Sequence, residues 1–286
     1  MRRARLPSLP LPRARAFSSH APPPLDADAA AFARVARARR SAGFIDPARP
    51  VPPALLEQLV ALTAQTPSGF NLQPYRVVMV QAARPKGRLA AAMLGAANAG
   101  RVRDAPLCAV FAADLAPLES VGEVQEMEAR AGGKSPAYLR ELPFSAAAFA
   151  GVGGAAPRCA TALAGAATGA LSSLTGVALP PLAVPGIAWS YKQTALAAMS
   201  YVLAATSQGL ATRMMEGLDP ARAAEAVGLP PARFSVALVV VTGWEVAGQA
   251  LPPPSPRRVR GVFFRDTAAR DWLAGEGAGE GEGERK

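Results

Sequence analysis

The sequence predicts an α+β fold, and two kinds of run predict it. Three short apolar stretches rich in valine, at 75–81, 106–112 and 234–243, have the length and β-branched content of strands buried in a sheet. Around them lie longer runs opened by acidic or proline residues and closed by glycine, the punctuation of helices. Half of the 286 residues are hydrophobic, which allows a sizeable core.

Taken in order, residues 21–25 form a proline-rich linker. Asp26 or Asp28 then caps a helix running to Arg40, with Phe32, Val35 and Ala36 turned inward and Gly43 ending it. Pro52 and Pro53 open a helix over 54–66, since proline suits a first helical turn. A strand at 75–81, a helix at 86–99 and a strand at 106–112 follow. A long alanine-rich helix runs from Ser190 to Gly209, where the glycine stops it. A short helix, Pro220 to Val227, precedes the last strand. Segment 142–191 holds one charged residue, Arg158. It is rich in small residues and interrupted by Pro157, Pro180, Pro181 and Pro185, so it reads as a buried or interface helix rather than a membrane span. Gly151-Val-Gly-Gly154 follows no convincing strand, and no ribose-binding acid stands at the right distance beyond it, so it makes a weak dinucleotide fingerprint. The tail 275–286 is a Gly/Glu low-complexity run, expected to be disordered.

Charge and rare residues narrow the chemistry. The formal net charge is +10. No aromatic residues interleave with a basic stripe, which argues against nucleic acid as a partner. The first 25 residues carry Arg2, Arg3, Arg5, Arg13 and Arg15 and no acid, the composition of an organelle transit peptide. Arg15-Ala-Phe-Ser-Ser19 resembles a mitochondrial processing site, with cleavage expected after Phe17; chloroplast import is the alternative. The one histidine, His20, sits beside that leader. A core without histidine has no Ser-His-Asp triad and no His-ligated zinc. Cys108 and Cys159 are too few for an all-thiolate zinc site, and Cys108 lies in an apolar run as a core residue would. No catalytic side chain and no metal-ligand set is legible, so redox chemistry here requires an organic cofactor.

Pro67-Ser-Gly-Phe-Asn-Leu-Gln-Pro-Tyr75 is the most informative stretch. It sets a hydroxyl and two carboxamides on a backbone stiffened by two prolines, between a helix-like and a strand-like run. Such a loop suits the edge of a flat, polar heterocycle. Upstream, Arg39-Arg40-Ser41 suits a phosphate. Together they suggest a mononucleotide. In that order and spacing the two motifs resemble the FMN-dependent nitroreductase family. Trp189-Ser-Tyr-Lys-Gln193, Met215-Glu-Gly-Leu-Asp219 and Pro256-Arg-Arg258 resemble later blocks of the same family. The resemblance covers roughly 32–115 and 186–262, so residues 26–265 read as one such domain with a divergent insert at 116–185.

The resemblance implies a mainly antiparallel sheet surrounded by helices, in a homodimer with FMN at the interface. Arg39, Arg40 and Ser41, with Arg257 and Arg258, would hold the phosphate. Pro67, Ser68, Asn71 and Gln73 belong to the loop that would meet the partner subunit's flavin. Asn98 and Arg101 would meet the ring edge, and the Glu216–Gly217 turn would face it with main chain. In one respect the chain departs from the family pattern, which often has a second basic residue two after the serine: Gly43 stands there. The implied activity is hydride transfer from NADH or NADPH to nitroaromatic or quinone acceptors in alternating half-reactions. Flavin fragmentation or reductive dehalogenation on the same fold, and a non-catalytic FMN-binding or membrane-associated assembly factor, are the alternatives. Tyr138, Phe144 and Phe149 are candidates for stacking at the pocket mouth, with core packing the expected role.

Overall fold

The structure, a computed structural model, describes residues 26–150, 158–175, 186–246, 248, 255–257 and 262. The leader, Gly151–Gly154 and the 275–286 tail lie outside these residues. Contacts divide the chain into a large unit, Phe32–Pro252, and a second unit made of Met1–Ala31 and Pro253–Lys286.

The large unit is built on four antiparallel strands: β1 (Tyr75–Val80), β2 (Leu107–Asp114), β3 (Ala211–Met215) and β4 (Phe234–Gly243), in the order β1-β2-β4-β3. Every residue of β2 is buried, as its unbroken apolar sequence requires of a strand covered on both faces. Cys108, Val110 and Ala112 point into one core, which they share with α3 (Ala83–Ala91), α4 (Ala96–Asp104) and α9 (Pro220–Ala226). Leu107, Ala109 and Phe111 point into the other, filled by α2 (Pro53–Ala64) and α8 (Gly186–Ser207). Here the Tyr201 hydroxyl donates to Thr242 Oγ1 at 2.9 Å, which satisfies a buried polar pair.

A β-bulge sets how β4 serves both cores. Phe111 lies opposite Leu238 and Ala112 opposite Val236, leaving Ala237 as the extra residue. Phe234 and Val236 therefore face the first core, Leu238 the second, and Val239 and Val241 the first again. A third apolar cluster joins α5 (Val121–Ala131) and α6 (Pro136–Ala150) to Leu72 and Trp189. Among the described residues the remaining α-helices are α1 (Ala27–Ala38), with Asp26 Oδ1 accepting from Ala29 N at 2.7 Å, and α7 (Arg158–Thr175).

Several elements differ from the sequence reading. The helix expected over 86–99 is two, α3 and α4, broken where Gly95 takes φ 82° and Leu94 N donates to Gly217 O at 2.8 Å. Strand β3 carried no valine signal: it is a short edge strand of Ala, Thr, Arg and Met that main-chain pairing with β4 holds in place. Strand β2 runs on to Asp114, a fully buried carboxylate held by Arg233 at 3.1 Å. Helix α8 begins at Gly186, a turn earlier than expected. Helix α1 ends at Ala38 and Phe32 is 63% exposed, not inward, because no surface among the described residues covers that stripe. Phe144, expected to pack in a core, is 82% exposed; the inward positions of α6 belong to Leu142, Ala146 and Ala150. No helix of the described residues is long and apolar enough to cross a membrane.

Candidate functional site

Residues 41–45 lie along the open edge of the sheet. Ser41 forms a parallel bridge with Thr212, Ala42 N donates to Thr212 O at 2.9 Å, and Ile45 bridges to Glu245. The edge left free by β3 thus receives the Arg39-Arg40-Ser41 cluster. Arg213, on the same strand, donates from Nη1 to Ala42 O at 2.9 Å.

Helix α4 approaches from the other side. One turn apart on it, Arg101 Nη1 donates to Asn98 Oδ1 at 3.0 Å, and Asn98 Nδ2 donates to Leu94 O at 3.3 Å. The Glu216–Gly217 turn is drawn in by the Met93–Leu218 bridge and by Asp219 N donating to Ala92 O at 2.8 Å. A Cβ at Gly217 would stand 3.2 Å from Asn98 Nδ2, so a side chain there would press on the carboxamide.

Between these parts is a cavity of about 290 Å³. Its wall includes Ala42, Gly43, Phe44 and Ile45, then Arg101 and Asp104 of α4, and Arg213. Burial, and then the neighbouring Arg101 charge, push the Arg213 guanidinium below its ordinary pKa.

The 67–75 loop is held elsewhere, by the Trp189–Gln193 block and by the 116–185 insert. Gly69 N donates to Gln193 Oε1 at 2.9 Å, and a Cβ at Gly69 would come within 2.8 Å of Trp189 Cζ2. Gln73 N donates to Ser68 Oγ at 2.9 Å, and Asn71 Nδ2 to Glu128 Oε1 at 2.8 Å. Phe70, Asn71 and Gln73 all have positive φ, at 55°, 56° and 45°. That backbone region is uncommon for residues other than glycine, and asparagine tolerates it best. Phe149 packs its ring 5.6 Å from that of Phe70, and Tyr138 lies against the third cluster.

The match to known families decides what this arrangement belongs to. Residues 36–244 match the nitroreductase family model. The chain belongs to the nitroreductase family. It is therefore a member of an oxidoreductase family. An NADH dehydrogenase from Thermus thermophilus is 37% identical over 95 residues, a stretch covering 32% of this chain and 41% of that protein. Among solved structures, a candidate nitroreductase from Bacillus subtilis superposes with a TM-score of 0.59 at 19% identity, over 80% of this chain and 96% of that one. A candidate nitroreductase from Exiguobacterium sibiricum, solved in complex with FMN, gives 0.55 at 18%, over 79% and 93%. A candidate NAD(P)H:FMN oxidoreductase from Staphylococcus epidermidis gives 0.58 at 16%, over 79% and 92%. At these identities the likeness is one of fold.

Within this nitroreductase-family chain, the expected residues separate into groups. Asn98, Arg101 and Gly217 come together, with Arg101 on the cavity wall. Ser41 sits at the adjoining sheet edge, with Arg39 half-buried before it. Arg40 pairs with Glu245 at 3.4 Å, while its buried Nε has no partner. Pro67, Ser68, Asn71 and Gln73 do not line the cavity of their own chain. Arg257, in the second unit, donates to the Ser255 and Pro256 carbonyls, and Arg258 lies outside the described residues. Sequence reasoning missed Arg213. Its signal was a lone charge inside Leu210-Ala-Thr-Arg-Met-Met215, a run otherwise without ionisable groups.

Proposed function

We propose that this chain is an FMN-dependent oxidoreductase that takes hydride from NADH or NADPH and reduces flat, electron-poor acceptors of the nitroaromatic or quinone type. The observation that carries the reading is the cavity, where the sheet-edge segment, α4 and β3 meet with two guanidiniums on the wall. The arginine-serine cluster also keeps a donor free for an anion: the buried Arg40 Nε has no partner among the described residues, as is true of Ser190 Oγ and Arg233 Nε elsewhere in the chain. In this reading Arg39, Arg40 and Ser41 hold the phosphate, while Asn98 and Arg101 hold the polar ring edge. When bound, FMN supplies the hydride relay; the protein contributes positioning and charge. Donor and acceptor use the same face in turn, which makes the kinetics ping-pong.

The same proposal includes a homodimer. Leu196 and Met199, one turn apart on α8, are 47% and 40% exposed, and Val60 and Leu62 of the adjoining α2 are similarly bare. A second copy covering them would bring its 67–75 loop to a cavity that this chain's own loop does not line. The Arg-rich leader accords with import into mitochondria, with the plastid as the alternative.

The test is a spectrum of the purified protein before and after NADH addition without oxygen. A flavin spectrum that NADH bleaches, with FMN released on boiling, is the expected result. A yellow protein that NADH leaves unchanged would make it a binding protein without this activity. A colourless protein that fails to take up added FMN would defeat the cofactor reading.

A further inference from the structure

Arg213 and Arg101 line one cavity, and among the described residues neither has a carboxylate within salt-bridge distance. Asp104 shares the wall, so it offsets one of the two charges at most. Two partly buried cations facing one space, with their mutual repulsion at most partly compensated, form an arrangement that a bound anion relieves. The direction of the Arg213 shift agrees: burial and then Arg101 both work against its charge. Arg213 reaches the wall from β3, a different element from the one that carries the arginine-serine cluster. Its hydrogen bond to Ala42 O sets it directly beside Gly43, the position where the family pattern often has a basic residue and this chain has none.

We propose that Arg213 replaces, from across the sheet edge, the missing cation at Gly43, and that with Arg101 it seats the ring edge of FMN that becomes negatively charged on reduction. This rests on the FMN reading above. The two cations stabilise reduced FMN more than oxidised FMN, because only the reduced ring carries the added charge at that edge. Gly43 also has room for a side chain: a Cβ there meets no atom within 4 Å. The charge is therefore transferable between the two positions.

The experiment measures the two-electron potential of bound FMN against a reference dye, and the dissociation constant of oxidised FMN by fluorescence, in wild type, R213Q, R213K and the double variant G43R/R213Q. For R213Q the expected result is a tenfold or larger loss of preference for reduced over oxidised FMN, about 30 mV for a two-electron couple. Affinity for oxidised FMN should change less than threefold. R213K should stay near wild type, and G43R should restore most of the potential lost in R213Q. R213M serves as a second neutral variant if R213Q does not fold. A potential unchanged in the neutral variant overturns the inference. So does an equal loss of affinity for both redox forms, which would put Arg213 on the phosphate. Failure of the wild type to bind FMN would instead defeat the proposed function, and is seen before any variant is made.

Discussion

At the scale of single residues, the site depends on close approaches that only the smallest side chain allows. Gly69 lies under the Trp189 ring, so Gly69→Ala forces a 2.8 Å contact against a buried indole rather than a flexible chain end. Overpacking of this kind costs about 1–3 kcal/mol. At roughly 2–4 °C per kcal/mol for a chain of this size, the melting temperature should fall by about 2–12 °C. Scanning calorimetry on the Gly69→Ala protein checks this. Cys108 gives a second residue-level prediction. Burial pushes its thiol from 9.0 up to about 12. Between those values the unfolded chain has released the proton and the folded chain still holds it, so stability falls as pH rises above about 9. Urea unfolding should show this alkaline slope reduced by about 1.4 kcal/mol per pH unit in Cys108→Ala. The same burial makes the thiol inert, so an alkylating reagent should label Cys108 only after unfolding. That role was readable in advance, since an apolar run with one cysteine is a core strand. The role of Arg213 was not, because its meaning depends on which strand lies beside Ala42.

At the scale of elements, what the sequence revealed followed the strength of each local signal. Strands β1 and β4 stand where valine-rich runs put them, and α2 and α9 begin at their prolines. Edge strand β3 escaped because pairing with β4, rather than its own composition, makes it a strand. The break between α3 and α4 escaped for a related reason: the glycine that allows it is visible, but the Gly217 carbonyl that captures Leu94 comes from over a hundred residues away. The resulting two-helix arrangement sets Arg101 on the cavity wall with Asn98 bonded behind it, so a continuous helix would have described a different site. Helix α8 divides into ten buried residues and an outer stripe that includes Leu196 and Met199. Leu196→Asp with Met199→Asp should leave the fold intact, since neither residue is buried in the chain. The pair should convert a dimer to monomer in sedimentation velocity and lower FMN occupancy several-fold. A wild-type protein that sediments as a monomer while retaining FMN would remove the dimer from the proposal.

At the scale of the whole molecule, the cavity and the 67–75 loop are separate halves of one proposed site, and the test is genetic in form. Arg39→Ala and Asn71→Ala chains should each bind little FMN alone. Co-purified as a mixed dimer carrying two different tags, they should recover about half of the wild-type sites, because one of the two cavities then has both halves intact. The motif blocks supplied nearly all of what the sequence foretold of this picture; the insert did not announce its part, although its Glu128 holds Asn71 and its Phe149 packs on Phe70. Composition could not reveal that the loop's carboxamides are turned to Glu128 and to each other in a single chain. The three positive φ angles of that loop have a further consequence, for anyone who selects this protein for heat resistance. Each non-glycine residue held in the left-handed region costs about 1 kcal/mol or more. Gln73→Gly should therefore raise the melting temperature of the FMN-free protein by a few degrees while weakening its hold on FMN. Selection on thermal endurance alone would favour such changes, and would gradually trade away the shape that makes the loop useful.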